Sequence, residues 1–145
     1  MEMSTPENEE LVARVYTQAL EARSDGRQLS PADTVIYEVE MLSQEVNSGA
    51  SFEQYFRWAS VEEISRVVDR LEALGLPEVA QLTRTAIDVT FPGGVPDSDE
   101  EKDDLTDWTE DQEERLSTLA DAFEEFNGRI IDVLAAFYRK NTRGG

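Results

Sequence analysis

The sequence predicts an all-α protein, a single compact domain of about seven helices packed in the manner of a bundle. Three observations carry that prediction. Apolar residues recur in steps of three and four along most of the chain. The breaks between these series hold helix-capping residues, prolines placed for a first turn, or glycines. No segment sustains the apolar–polar alternation, rich in β-branched residues, of a half-buried strand. At 145 residues the chain suits one domain, with enough interior to fold without disulfide staples.

The elements follow in order. Ser4-Thr5-Pro6 places a capping hydroxyl ahead of a first-turn proline, and Leu11, Val12, Val15, Ala19 and Leu20 then repeat at helical spacing, so a first helix is expected over roughly 6–23. Ser24-Asp25-Gly26 breaks it. Ser30-Pro31 with Asp33 starts a second helix, whose stripe is Val35, Ile36, Val39, Leu42 and Val46, and Asn47-Ser48-Gly49 ends it. Ser51 is placed to cap a short helix holding Phe52, Tyr55 and Phe56. Ser60 and Glu63 form a capping box before Ile64, Val67, Val68, Leu71 and Leu74, with Gly75 as the C-terminal cap. Pro77 opens a helix carrying Val79, Leu82, Ala86 and Val89. Phe91-Pro92-Gly93-Gly94-Val95-Pro96 stops it and is the firmest boundary in the chain. Ser98 with Glu101, then Thr109 with Gln112, mark two more starts. Leu116, Leu119, Phe123, Phe126, Ile130, Val133 and Phe137 close the series as one long helix or as two parted near Asn127-Gly128.

Composition narrows function. The chain has 32 Asp and Glu against 13 Lys and Arg, a net charge of −19, and neither histidine nor cysteine. That removes thiol nucleophiles, thiolate zinc sites and the usual general base. Apolar residues make up 39% and are grouped in periodic blocks, which favours a folded chain over acidic disorder. Residues 1–10 are acidic and no apolar run approaches 18 residues, so neither a signal peptide nor a membrane span is expected, and a cytoplasmic protein is. The negative charge repels nucleic acid and anionic lipid and favours basic proteins, so direct DNA binding is not expected.

Four blocks occur in a set order: Glu45-Val46-Asn47-Ser48-Gly49, Phe52-Glu53-Gln54-Tyr55-Phe56, Gly75-Leu76-Pro77-Glu78-Val79-Ala80 and Phe91-Pro92-Gly93-Gly94-Val95-Pro96. In this order the chain resembles the DNA-mimic-protein domain family of small acidic helical proteins, over residues 29–140, leaving a first helix and linker, 1–28, outside. It departs from the pattern at Asn47-Ser48-Gly49-Ala50-Ser51-Phe52, which stands where Asn-Asn-Gly-Gly-Phe is usual and carries an extra residue. The resemblance implies surface carboxylates that imitate duplex phosphates and occupy the DNA-binding face of a transcription factor or nucleoid protein. It transfers the fold more securely than the partner.

The residues that suit this role lie at 97–114: Asp97, Asp99, Glu100, Glu101, Asp103, Asp104, Asp107, Glu110, Asp111, Glu113 and Glu114, opposed only by Lys102. Half the net charge sits in about an eighth of the chain. Carboxylates three or four residues apart on a helix lie about 5–6 Å from one another, a scale comparable with phosphate spacing. The bland reading is a solvated run that keeps the protein soluble. Glu62, Glu63, Glu124 and Glu125 are candidates to extend the face, and a homodimer would lengthen it. Calcium competes for Asp97, Asp99 and Glu101, but Lys102 stands at the turn-glycine position of an EF-hand loop and Trp108 at that of the bidentate glutamate, so no metal site is expected.

Other residues read as structural. Trp108 is expected to pack, the alternative being an exposed anchor, and Trp58 is expected in or near the core. Asn47 and Gly49 suit a helix end, and Gln54 a local backbone bond, ahead of any catalytic amide. Gly93-Gly94 lacks the lysine and strand–helix setting of a phosphate loop. Lys102, embedded in negative charge, is expected to stay protonated, the wrong direction for a base. No catalytic residue, cofactor or enzymatic activity is expected. Two further readings use the same electrostatics: an immunity or anti-restriction protein shielding a basic toxin or nuclease, and salt adaptation, which 11 Arg against 2 Lys would suit. Acidity on one face favours a partner, whereas uniform acidity favours adaptation.

Overall fold

Eight helices make up the architecture of the computed structural model, which describes residues 4–142; residues 1–3 and 143–145 of the domain expected over 1–145 lie outside it. They are α1 (Pro6–Ser24), α2 (Pro31–Gly49), α3 (Glu53–Trp58), α4 (Val61–Ala73), α5 (Pro77–Thr90), α6 (Asp99–Leu105), α7 (Glu110–Glu124) and α8 (Asn127–Thr142). No strand occurs among the described residues, and the protein is all-α as expected. The eighth helix arises because the final apolar series parts at Glu125-Phe126, just before Asn127.

The caps act as their residue types require. Thr5, Ser30, Ser60, Ser98 and Thr109 each accept a bond from the backbone N–H three residues on, and the boxes Ser60/Glu63 and Thr109/Gln112 are reciprocal. Gly75, at φ +79, takes the left-handed turn that ends α4. Ser51 differs: Phe52 is the N-cap of α3, and Ser51 Oγ accepts from the Glu53 N–H at 3.2 Å one position in front of it. Helix α2 runs through Asn47-Ser48-Gly49 and ends on Ala50, a non-glycine residue in left-handed backbone at φ 51.

Helix α2 is the hub, packed against α1, α3, α4, α7 and α8, and its residues 36–43 are buried without interruption. Helices α4, α5 and α7 form one flank, and α1 and α8 the other. Under α3 lies an aromatic cluster in which Phe52 meets Phe123 edge-on at 5.7 Å and Phe56 meets Phe91 at 5.6 Å. Such contacts contribute about 0.5–1.5 kcal/mol each beyond area burial. Val12, Val15 and Ala19 bury α1 in the same core. Asn8 Nδ2 on α1 donates to Asp132 on α8 at 2.9 Å, and the Arg23 guanidinium lies 4.4 Å over the Tyr37 ring.

Candidate functional site

The acidic run occupies the loop after α5, all of α6, the connection 106–109 and the first turns of α7. Its backbone is held at four places. Asp99 Oδ1 accepts from the Val61 N–H at 2.8 Å, meeting one of the orphan donors at the start of α4 with a charge that suits the helix dipole. Lys102, only 3% exposed, donates from Nζ to the carbonyls of Phe56 at 2.7 Å and Arg57 at 3.0 Å, at the end of α3. Trp108 Nε1 donates to Thr90 Oγ1 at 3.1 Å, and Gln112 Nε2 to the Val89 carbonyl at 2.8 Å. The packing reading of Trp108 therefore holds: its ring lies against the core, with the Arg57 guanidinium 5.2 Å above it.

All eleven carboxylate residues are exposed: Asp97, Asp99, Glu100, Glu101, Asp103, Asp104, Asp107, Glu110, Asp111, Glu113 and Glu114. On α6 the pairs Asp99/Asp103, Glu100/Asp104, Glu100/Asp103 and Glu101/Asp104 stand three or four residues apart, neighbours at about 5–6 Å. Glu100 and Asp104 stand on the side of α6 opposite Lys102, whereas Asp99, three residues before the lysine, lies on its side. On α7, Glu110 and Glu114 share a stripe that Asp121, two turns beyond Glu114, carries toward Glu124 and Glu125, all exposed. Asp121 escapes a reading that stops where the dense run stops. Glu62 adjoins the other end, lining one shallow depression with Asp97, Val95 and Pro96.

Cations are distributed unevenly. The sole ion pair in the run among the described residues joins Lys102 to Asp103 at 3.8 Å, with the ammonium buried. Elsewhere arginines meet carboxylates: Arg23 with Glu63, Arg84 with Glu72, Arg129 with Glu78, and Arg66 and Arg70 with Glu38. Among the described residues no group of three or more carboxylates is gathered to hold a metal ion.

Several expectations are corrected. Trp58 is not in the core but 67% exposed, because α3 stops there and the buried positions on either side are Phe56 and Ala59. Glu63 leaves the candidate face: it is buried, closing the α4 capping box through the Ser60 N–H and accepting from Arg23 at 3.2 Å. Gln54 bonds a side chain instead of backbone, donating to Glu45 Oε2 at 2.6 Å. Lys102 is interior, its ammonium bonded to two backbone carbonyls with Asp103 at ion-pair distance. Asn47 exchanges bonds with Asn127 at 3.0 and 3.1 Å, tying the end of α2 to the start of α8. A Cβ on Gly49 would meet Gln54 Oε1 at 3.2 Å, so that glycine permits a close approach of α2 to α3. The Phe91–Val95 segment is a turn closed by the Gly94 N–H on the Phe91 carbonyl at 2.8 Å.

Two carboxylates missed in the sequence are buried on α2. Burial pushes the Glu38 carboxyl up, but hydrogen bonds from Arg66 and Arg70 outweigh it and hold the group below the usual range. Glu40 has no such cation. Burial, opposed only by a hydrogen bond from Gln44 at 3.3 Å, raises it to about 7.

The fold and this surface define a class: a small, strongly acidic, all-helical protein with a carboxylate face pinned to its core. A family model described as DMP19-like protein matches residues 27–141, and the chain belongs to that family, one of DNA-mimic proteins, as its resemblance implies. The match begins in the turn before α2 and leaves α1 outside. No curated protein and no solved structure matches the chain. Among the described residues, no helix is long and apolar enough to cross a membrane.

Proposed function

We propose that the carboxylate face of α6 and the first half of α7 occupies the DNA-binding surface of a basic DNA-binding protein, such as a transcription factor or nucleoid protein, and excludes DNA from it. The observation that carries this reading is the inward turn of Lys102: eleven carboxylates face water while the one lysine among them is spent on two backbone carbonyls. DNA-binding surfaces meet about one phosphate charge per 1.7 Å of duplex with Lys and Arg clusters, and counterion release supplies much of the affinity. Rows of carboxylates at helical spacing offer those clusters a comparable ladder. The pairing of arginines with carboxylates outside the run, and not within it, favours a dedicated face over uniform salt adaptation. On this reading the protein is cytoplasmic, acts without a cofactor and catalyses nothing.

The effect is collective. Exposed charges contribute about 0.2–1 kcal/mol each, so Asp104→Asn alone has a small effect, whereas Asp103→Asn, Asp104→Asn, Asp107→Asn and Glu110→Gln together weaken binding about a hundredfold. The test is capture from host lysate at low and moderate salt, with duplex DNA as competitor. The wild-type chain retains a DNA-binding protein that salt and duplex both release, and the fourfold variant retains none. Equal retention by the fourfold variant would overturn the reading.

A further inference from the structure

Three large apolar side chains are exposed among the described residues: Leu20 at 43%, Leu105 at 48% and Trp58 at 67%. Two of the three end helices that touch each other, Trp58 on α3 and Leu105 on α6. Trp58 ends α3, and the preceding carbonyls, of Phe56 and Arg57, are the acceptors of Lys102. The next helix begins at Val61, whose N–H is taken by Asp99. The backbone that carries Trp58 is thus clasped from both sides by the acidic helix. Leu105 lies one turn beyond Lys102 on the same side of α6. The mount is rigid: Phe56 and Ala59 are buried, and the Ala59 N–H donates to the Tyr55 carbonyl at 2.8 Å. An indole left exposed on a backbone that the acidic helix holds in place is an uncommon use of a residue that is mostly buried in folded proteins.

We propose that Trp58 is the anchor of the acidic face, seating an arginine of the basic partner while the surrounding carboxylates take its other cations. This rests on the reading of the face as a mimic of DNA. Charge complementarity selects the occupant: a cation drawn to the exposed carboxylates of α6, the helix whose Asp99 and Lys102 hold the backbone on either side of Trp58, meets an exposed indole on that backbone, and a guanidinium gains there by stacking more than an ammonium does. The same pairing exists inside the chain, where Arg57 lies over Trp108. An anchor of this kind supplies what a ladder of carboxylates lacks, a contact that is insensitive to salt and fixes register on the partner.

The test titrates the full chain with an oligo-arginine peptide and an oligo-lysine peptide of equal length, across a salt series. The wild-type chain prefers arginine by about tenfold. Trp58→Ala removes that preference and leaves the salt dependence unchanged, and Trp58→Phe restores part of it. Because the side chain is exposed, both variants keep the wild-type Tm. An unaltered arginine preference in Trp58→Ala overturns the anchor while the salt slope still supports the face. A fourfold-neutralised variant with the wild-type salt slope overturns the face itself. A wild-type dimer that Trp58→Ala converts to monomer in sedimentation overturns the proposal in favour of a second copy of the chain.

Discussion

Replacing Glu40 by glutamine should stabilise the protein at neutral pH and leave it unchanged in acid. Glu40 lies in the fully buried stretch of α2, and its carboxyl is raised from 4.5 to about 7. In the folded chain it stays protonated up to near neutrality, while in the unfolded chain it ionises from pH 4.5 upward. Stability tied to the neutral carboxyl is therefore complete below pH 4.5, declines as pH rises through the interval, and is lost above about 7. Each pH unit corresponds to 1.36 kcal/mol, so the interval amounts to about 3 kcal/mol. Glutamine keeps the shape and the Gln44 contact but cannot ionise. Because many exposed acids titrate nearby, the diagnostic quantity is the difference in unfolding free energy between Glu40→Gln and wild type. That difference should rise from near zero at low pH to a plateau of about 3 kcal/mol above neutrality, or about 10 °C in Tm at this chain length. Urea melts from about pH 4 to about pH 8 measure it. A difference that is flat with pH, or that falls as pH rises, would refute the argument.

Two further predictions concern stability. Lys102→Met keeps the buried stem but deserts the Phe56 and Arg57 carbonyls, and should cost about 2–3 kcal/mol, with the α6 amides exchanging faster than those of α4; an unchanged Tm and unchanged exchange would show that the lysine is not what holds α6. Ala50→Gly relieves left-handed backbone at φ 51 and should raise stability by about 1 kcal/mol in a thermal melt, whereas a lowered Tm would mean the turn carries no strain.

Much of the fold is legible in the sequence because helix caps are local chemistry. Thr5, Ser30, Ser60, Ser98 and Thr109 act where their side chains can reach, and no tertiary knowledge is needed to place them. The residues that mislead are those whose surroundings come from elsewhere in the chain. Periodicity assigns α2 one apolar stripe and so leaves Glu38 and Glu40 on its wet side; the helix is in fact enclosed by five others, and that side has no water to face. Trp58 looks like core by composition, yet α3 is too short to turn it inward. Lys102 is read among its neighbours in sequence, whereas its partners lie 45 and 46 residues away. The acidic face itself is visible as a charge run, but its depth is not: Asp121 joins and Glu63 departs for reasons of helix geometry and capping alone.

The buried and amide residues of the blocks that mark the family serve the packing, whereas the carboxylate run faces water. Asn47, Gly49, Phe52, Gln54, Phe56 and Phe91 join helices to one another, and Phe56 also steadies α6 from beneath, its carbonyl accepting from Lys102. Helix α6, in turn, sends a single buried residue into the interior. Apart from Asp99, which accepts from the Val61 N–H, its outward positions are under almost no packing constraint, so substitutions there should combine nearly independently of the core. The charges on α6 can therefore be respelled one residue at a time while the scaffold beneath keeps its stability and its signature, and on the proposed function this is the freedom that following a changing target requires.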